Sequence, residues 1–214
     1  MHSNSNTPLA RRGLMGALLA AGAAGLASTT GIAPPSASVP RTPEAQTRES
    51  LRQRRTPNVA LLDQDGRLLR FYDDVMKDRK VLINVMYSVC SNVCPPATRN
   101  LIEARRLLGD DAKGLRFVSM SLTPLSDTPD ALRAYKQQHG IGADWTFLTG
   151  TPRNMERVQR ALGFIGSDDN GDTDDLLSHS AMAKLCDERN LRWSHVNTLL
   201  SPRSIARMIR FETV

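Results

Sequence analysis

Residues Val81 to Tyr87 (Val-Leu-Ile-Asn-Val-Met-Tyr) form a nearly unbroken apolar run. A strand with one wet face alternates apolar and polar residues, so a run of this kind predicts a central strand covered on both faces. It leads directly into Cys90-Ser91-Asn92-Val93-Cys94-Pro95-Pro96. From Cys94-Pro95-Pro96 the chain reads as a helix through Leu108, ended by Gly109. Proline is tolerated early in a helix because its missing N–H would be unpaired there anyway. A doubly covered strand that passes into a helix within a few residues points to an α/β domain.

The rest of the body agrees. Asn58–Asp63 and Arg67–Phe71 flank Gln64-Asp65-Gly66, a hairpin with an Asp-Gly turn. Leu115–Leu122 predicts the next strand. Asp127-Thr128-Pro129 starts a helix to about His139, and Asp127 itself is read mainly as a helix cap. Trp145–Leu148 predicts a short strand, and Thr151-Pro152 opens a helix to Leu162. Ser180–Cys186 and Asn190–Trp193 predict a second hairpin, and Ser201-Pro202 caps a last helix over Arg203–Phe211. The order is β-hairpin, βαβαβα, β-hairpin, α: a central mixed sheet flanked by helices, with an N-terminal β-hairpin.

The formal net charge is +6, which raises the question of nucleic acid, but its distribution answers it. Residues 1–55 carry seven arginines and two glutamates, while the rest of the chain carries 21 basic and 20 acidic residues. The body is almost neutral, so the basic excess marks a leader and linker, not a nucleic-acid surface. Arg11-Arg12 stands before a mild apolar stretch, Gly13–Ala27. That pattern resembles a twin-arginine export signal spanning residues 1–30. The stretch is short for a membrane span, which needs roughly 20 apolar residues. Residues 31–55 read as a Pro-rich linker without regular structure, and 56–214 as the folded domain. The expectation is an exported, periplasmic protein, anchored to the inner membrane only if the N-terminal segment stays uncleaved.

Two cysteines at a strand-to-helix junction carry chemistry. A helix N-terminus presents unpaired N–H groups and the positive end of the dipole, which favour thiolate, the reactive and metal-binding form. If Cys90–Cys94 make the first helical turn, the i, i+4 spacing puts both sulfurs on one face. They could bind one metal ion or close a disulfide. A purely structural disulfide would close a very short loop and stabilise little.

These segments resemble the Sco/SenC family of copper-binding thioredoxin-fold proteins. Leu82–Pro95 is similar to the family signature. The hairpin from Asn58, the segment Ser119–Leu132 with Asp127-Thr128-Pro129, Phe147-Leu148-Thr149-Gly150 and Ser178-His179-Ser180-Ala181-Met182 come in the family's order. The resemblance covers residues 58–212 and implies a thioredoxin-like fold. It also implies that Cys90 and Cys94 are thiolate ligands and His179 an imidazole ligand. Two thiolates suit Cu(I), and an added imidazole accommodates Cu(II) as well. The implied role is a copper metallochaperone or assembly factor for the copper centre of a respiratory oxidase. The partner would be the oxidase copper subunit or another copper or thiol protein. The alternative is a thiol–disulfide oxidoreductase or redox sensor using Cys90 and Cys94 as a redox pair without metal. A binding role is placed ahead of an enzymatic one. A peroxide-reducing enzyme ranks lower, because nothing local to Cys90 supplies an arginine.

One position departs from the family: Ser121-Leu122-Thr123-Pro124 has Thr123 where an acid is usual. That puts in doubt any role of this carboxylate in orienting His179 or passing copper on. Other candidates have plainer readings. His139 sits at a helix C-terminus, where a partly cationic ring is favourable, and His195 is a surface residue. Met86 and Met120 belong to the core, whereas Met182 lies near His179 in sequence. Cys186 alternates in its strand as a half-buried residue, or as an exposed thiol able to form mixed disulfides. Asp168, Asn170, Asp172 and Asp174 lie in a solvated acidic loop that lacks the EF-hand spacing.

Overall fold

The computed structural model describes residues 43–89, 94–165 and 181–213. Seven strands form one sheet in the order β2-β1-β5-β4-β3-β6-β7. The hairpin β1 (Ala60–Asp63) and β2 (Leu68–Arg70) forms one edge. Its turn is organised by the buried Asp63, whose Oδ1 accepts from the N–H groups of Asp65 and Arg67, both at 2.9 Å. Gly66 adopts φ +75°, a conformation that costs glycine nothing.

The strands β3 (Lys80–Met86), β4 (Leu115–Ser121) and β5 (Trp145–Thr149) run parallel, so their C-terminal ends share one edge. The second hairpin, β6 (Met182–Asp187) and β7 (Arg192–Asn197), closes the sheet with β6 antiparallel to β3. β3 is buried on both faces as its composition predicts. Leu82 and Met86 join the core with Leu101, Phe117 and Ile205 on one face, while Val81, Ile83 and Val85 join Met120, Leu148 and Val158 on the other. Met86 and Met120 are core residues. Asn84, the one polar residue of β3's buried stretch, accepts from Ser119 Oγ at 2.8 Å, and Ser119 Oγ in turn accepts from Trp145 Nε1 at 2.9 Å.

The helices α2 (Cys94–Leu108), α3 (Pro129–Gln138), α4 (Pro152–Leu162) and α5 (Pro202–Thr213) carry the expected start signals. Thr128 and Thr151 cap α3 and α4 through their hydroxyls, each followed by proline at the start of the helix. This is the expected thioredoxin-like α/β fold.

Three expectations change. Residues 43–55, read as unstructured linker, form helix α1 (Pro43–Arg55). Their only proline stands at the first helical position, where it is tolerated. The helix buries none of its residues, which is why no apolar period announces it. Cys186 is 0% exposed, because β6 is covered on both faces, so the exposed-thiol reading fails. Burial pushes its thiol pKa up, only partly offset by Lys184 and Arg55. His139 packs its ring against Tyr135 at 4.3 Å, and burial together with Arg99 holds its pKa below the ordinary value. A partly cationic ring is therefore disfavoured at that helix end.

Candidate functional site

Cys94 opens α2 at the C-terminal edge of the parallel strands, where open α/β sheets place their ligands. It is 3% exposed and packs in the core with Leu82 and Met86. Cys90 and His179 lie outside the described residues, as does the acidic loop Asp168–Asp174. Among the described residues no three His, Cys, Asp or Glu side chains gather so as to hold a metal ion.

Both chain segments that approach this edge are fixed by polar contacts. The segment leaving β3 is tied down at Ser88. Its N–H donates to Asp127 Oδ1 at 3.0 Å and its hydroxyl donates to the same oxygen at 2.5 Å. The other carboxylate oxygen, Oδ2, accepts from Ser121 Oγ at 2.6 Å and Thr123 Oγ1 at 3.1 Å. Asp127 is 0% exposed. It is thus not the cap of α3, because Thr128 is. A cap belongs to the residue immediately before the first helical position, and Pro129 occupies that position, so the signal for Thr128 is present in the sequence.

Thr123 stands in this cluster as a donor. Its N–H also reaches Ser121 Oγ at 3.0 Å, and its carbonyl receives the N–H groups of Ser126 and Asp127 at 2.9 and 2.8 Å. The loop after β4 is further held from both sides. Leu122 N–H donates to Met86 O at 2.8 Å, and Gln159 of α4 donates to Ser121 O at 2.7 Å. Val89 and Leu125 project from these two loops with their side chains exposed.

The segment entering β6 is fixed from α2. Asn100 Nδ2 donates to Thr198 O at 3.0 Å, and Thr198 donates through both N–H and hydroxyl to Ala181 O, each at 2.7 Å. The helix that begins with Cys94 is therefore linked, through one residue, to the chain two residues after His179. Ala183 pairs with Asn84, so β6 starts beside the end of β3. Met182 is half-buried at that start. His195, exposed on β7 opposite Lys184, plays no part at this edge, and burial together with the Lys184 charge lowers its pKa.

A family model described as SCO1/SenC matches residues 47–213. A SCO2-like protein of Rickettsia conorii is 27% identical over 155 residues, covering 71% of this chain and 74% of the relative. Among solved structures, ScoI of Bradyrhizobium japonicum with copper bound is 24% identical with a TM-score of 0.56, covering 73% of this chain and 98% of that one. BsSco, described as having a disulfide switch and as a member of the Sco family of cytochrome c oxidase assembly proteins, is 18% identical. Its TM-score is 0.56, with 72% of this chain and 91% of that one covered.

Proposed function

Because this chain belongs to the SCO1/SenC family, we propose that it is a copper chaperone that takes up copper through Cys90, Cys94 and His179 and serves assembly of the copper centre of a respiratory oxidase. The observation that carries this reading is the convergence at one sheet edge. Cys94 heads α2 there, and Asn100 and Thr198 link that helix to Ala181, just beyond His179. The donor chemistry fits the cargo: two thiolates are soft ligands for Cu(I), and imidazole extends the set to Cu(II). The helix N-terminus favours the thiolate form that a metal requires.

The chain's own groups would hold and orient the ligands. Asn84, Ser119 and Trp145 satisfy one another's polar groups within the buried sheet without a charged side chain. Residues 1–30 are proposed as the export signal and the stretch from there to α1 as the link to the body, which would put the domain in the periplasm. Among the described residues no helix is long and apolar enough to cross a membrane. The description of BsSco as a member of the Sco family of cytochrome c oxidase assembly proteins supports an oxidase subunit, or another copper or thiol protein, as the recipient.

The deciding experiment is copper titration of the reduced protein against a Cu(I) chelator of known affinity. The expected stoichiometry is about one copper per chain, as a single three-ligand site requires. His179→Ala is expected to weaken binding by at least the roughly 10- to 100-fold that even outer-shell changes cost. Unchanged affinity in that variant removes His179 from the ligand set. Turnover of a disulfide substrate without metal, abolished by Cys90→Ser or Cys94→Ser, would instead establish the thiol–disulfide reading.

A further inference from the structure

Asp127 is buried against Ser88, at the start of the cysteine loop, yet it belongs to a different loop, 39 positions along the chain. Its four bonds divide evenly. Oδ2 takes two hydroxyls from its own loop, Ser121 and Thr123, and Oδ1 takes the N–H and hydroxyl of Ser88. A carboxylate so held has little freedom of its own, and whatever it holds shares that rigidity. Ser88 stands two residues before Cys90, with the exposed side chain of Val89 between them. On the other side of the loop, Cys94 is fixed by α2 and by core packing.

We propose that Asp127 is a positioning residue for the Cys90–Cys94 pair, fixing the entry to the loop so that the two thiols stay within mutual reach. It acts through Ser88, which it holds by two bonds. In this chain it is also the only carboxylate left in the Ser121–Asp127 loop, because the family's usual acid is Thr123 and Thr123 serves as one of its donors. The inference rests on the reading of Cys90 and Cys94 as the working pair.

The test is equilibration of the full chain with reduced and oxidised glutathione. Each Cys90–Cys94 disulfide formed passes two electrons to one glutathione disulfide and releases two reduced glutathiones, by way of a mixed disulfide. The equilibrium constant reports the effective concentration of one thiol for the other. Cys186, buried at 0% exposure, is a control by mass spectrometry after alkylation.

Asp127→Ala is expected to lower the effective concentration roughly tenfold or more, as loss of fixed geometry does. Asp127→Asn keeps an acceptor oxygen for Ser88 and is expected to stay within roughly threefold of the unmodified protein. Ser88→Ala, which removes the 2.5 Å hydroxyl bond but leaves the N–H, is expected to fall between them. Stability is measured in parallel by urea unfolding. A loss of stability with no shift in the equilibrium overturns the proposal, because a merely structural role would give that. Equal shifts in the Asn and Ala variants also overturn it, since charge and not position would then be at work. A pair that never closes overturns it outright. If Asp127→Ala does not fold, an unshifted Ser88→Ala is decisive against it. Copper titration stands apart: loss of copper binding with the glutathione shifts intact removes the chaperone reading and leaves the positioning role in place.

Discussion

Two carboxylates are sealed at opposite ends of β3, and they are satisfied in opposite ways. Asp127, beyond the strand's C-terminal end, is 0% exposed and, among the described residues, accepts from neutral donors: one N–H and three hydroxyls. Glu188, beyond the N-terminal end, is 1% exposed and accepts from the Arg52 guanidinium at 2.5 Å, the Tyr72 hydroxyl at 3.2 Å and the Asp78 N–H at 2.8 Å. Asp127 joins two loops of the sheet itself. Glu188 fastens α1, a helix with no buried residue, from outside. The fastening runs along one helical face, with Arg48 donating to Arg189 O at 3.1 Å, Arg52 to Glu188, and Arg55 lying over the Trp193 ring at 5.9 Å. Beneath it is a cavity of about 270 Å³ lined in part by Leu51, Leu191 and Trp193. The contrast assigns rigidity to the junction of Ser88 and Asp127 and detachability to α1. A neutral-donor cluster is indifferent to ionic strength, while an ion pair near the surface is screened by it.

The sharpest break of this comparison is truncation of each carboxylate. Asp127→Ala leaves an N–H and three hydroxyls without their acceptor. At about 1–3 kcal/mol for each buried group that stays unsatisfied, a loss of roughly 3–5 kcal/mol is expected in urea unfolding. Glu188→Ala is expected to cost less, about 2 kcal/mol, because Arg52 is partly exposed and can turn to water, leaving mainly the Asp78 N–H. Equal losses would erase the distinction between the two ends.

The next effect is the detachment of α1. Arg52→Gln withdraws the cation while Glu188 keeps Tyr72 and Asp78. The expected outcome is faster amide exchange through Pro43–Arg55, with the Ser88 amide unaffected. Raising the salt from about 0.1 M to 1 M, where the Debye length falls from about 10 Å to 3 Å, should move the unmodified protein in the same direction. If the Ser88 amide loosens together with α1, the two ends are coupled and the contrast fails.

Legibility in the sequence divides along the same line. The strands and helix starts can be read because their signals are local: the apolar run at Val81–Tyr87, the Asp-Gly turn, and Thr-Pro at the starts of α3 and α4. Helix α1 is hidden because its docking stripe is arginine, and a search for apolar periodicity passes over Arg48, Arg52 and Arg55. The role of Asp127 is hidden because its partner Ser88 is 39 residues away, and only the parallel pairing of β3 and β4 brings the two loops together. For Cys186, strand alternation predicts one wet face. Neither face of β6 is wet at that point, since Leu185 and Cys186 enter separate cores. Cys90 and His179 rest on family resemblance, so they are proposals about the site, whereas Cys94 at the head of α2 stems from the strand-to-helix pattern itself.

The smallest expected effect is on the alkaline side of the pH–stability curve, and it belongs to the Glu188 end alone. Burial, and then the Glu188 charge, push the Tyr72 phenol up to about 12, from an ordinary value of 10.0. The folded protein thus keeps this proton at a pH where the unfolded chain has already released it. Stability owed to Tyr72 is intact below about pH 10, is lost progressively as the pH rises from there, and is gone above the folded value. Glu188→Gln removes the repulsion between carboxylate and phenolate but leaves the burial, so the decline between pH 10 and 12 should become shallower without disappearing. Asp127→Asn, at the other end of β3, should leave that limb unchanged. Urea midpoints taken across this window for the three proteins would check it. A flatter curve in the Asp127 variant would mean that the charge at the cysteine edge reaches Tyr72 through the length of the sheet, and that the two ends are not electrostatically independent.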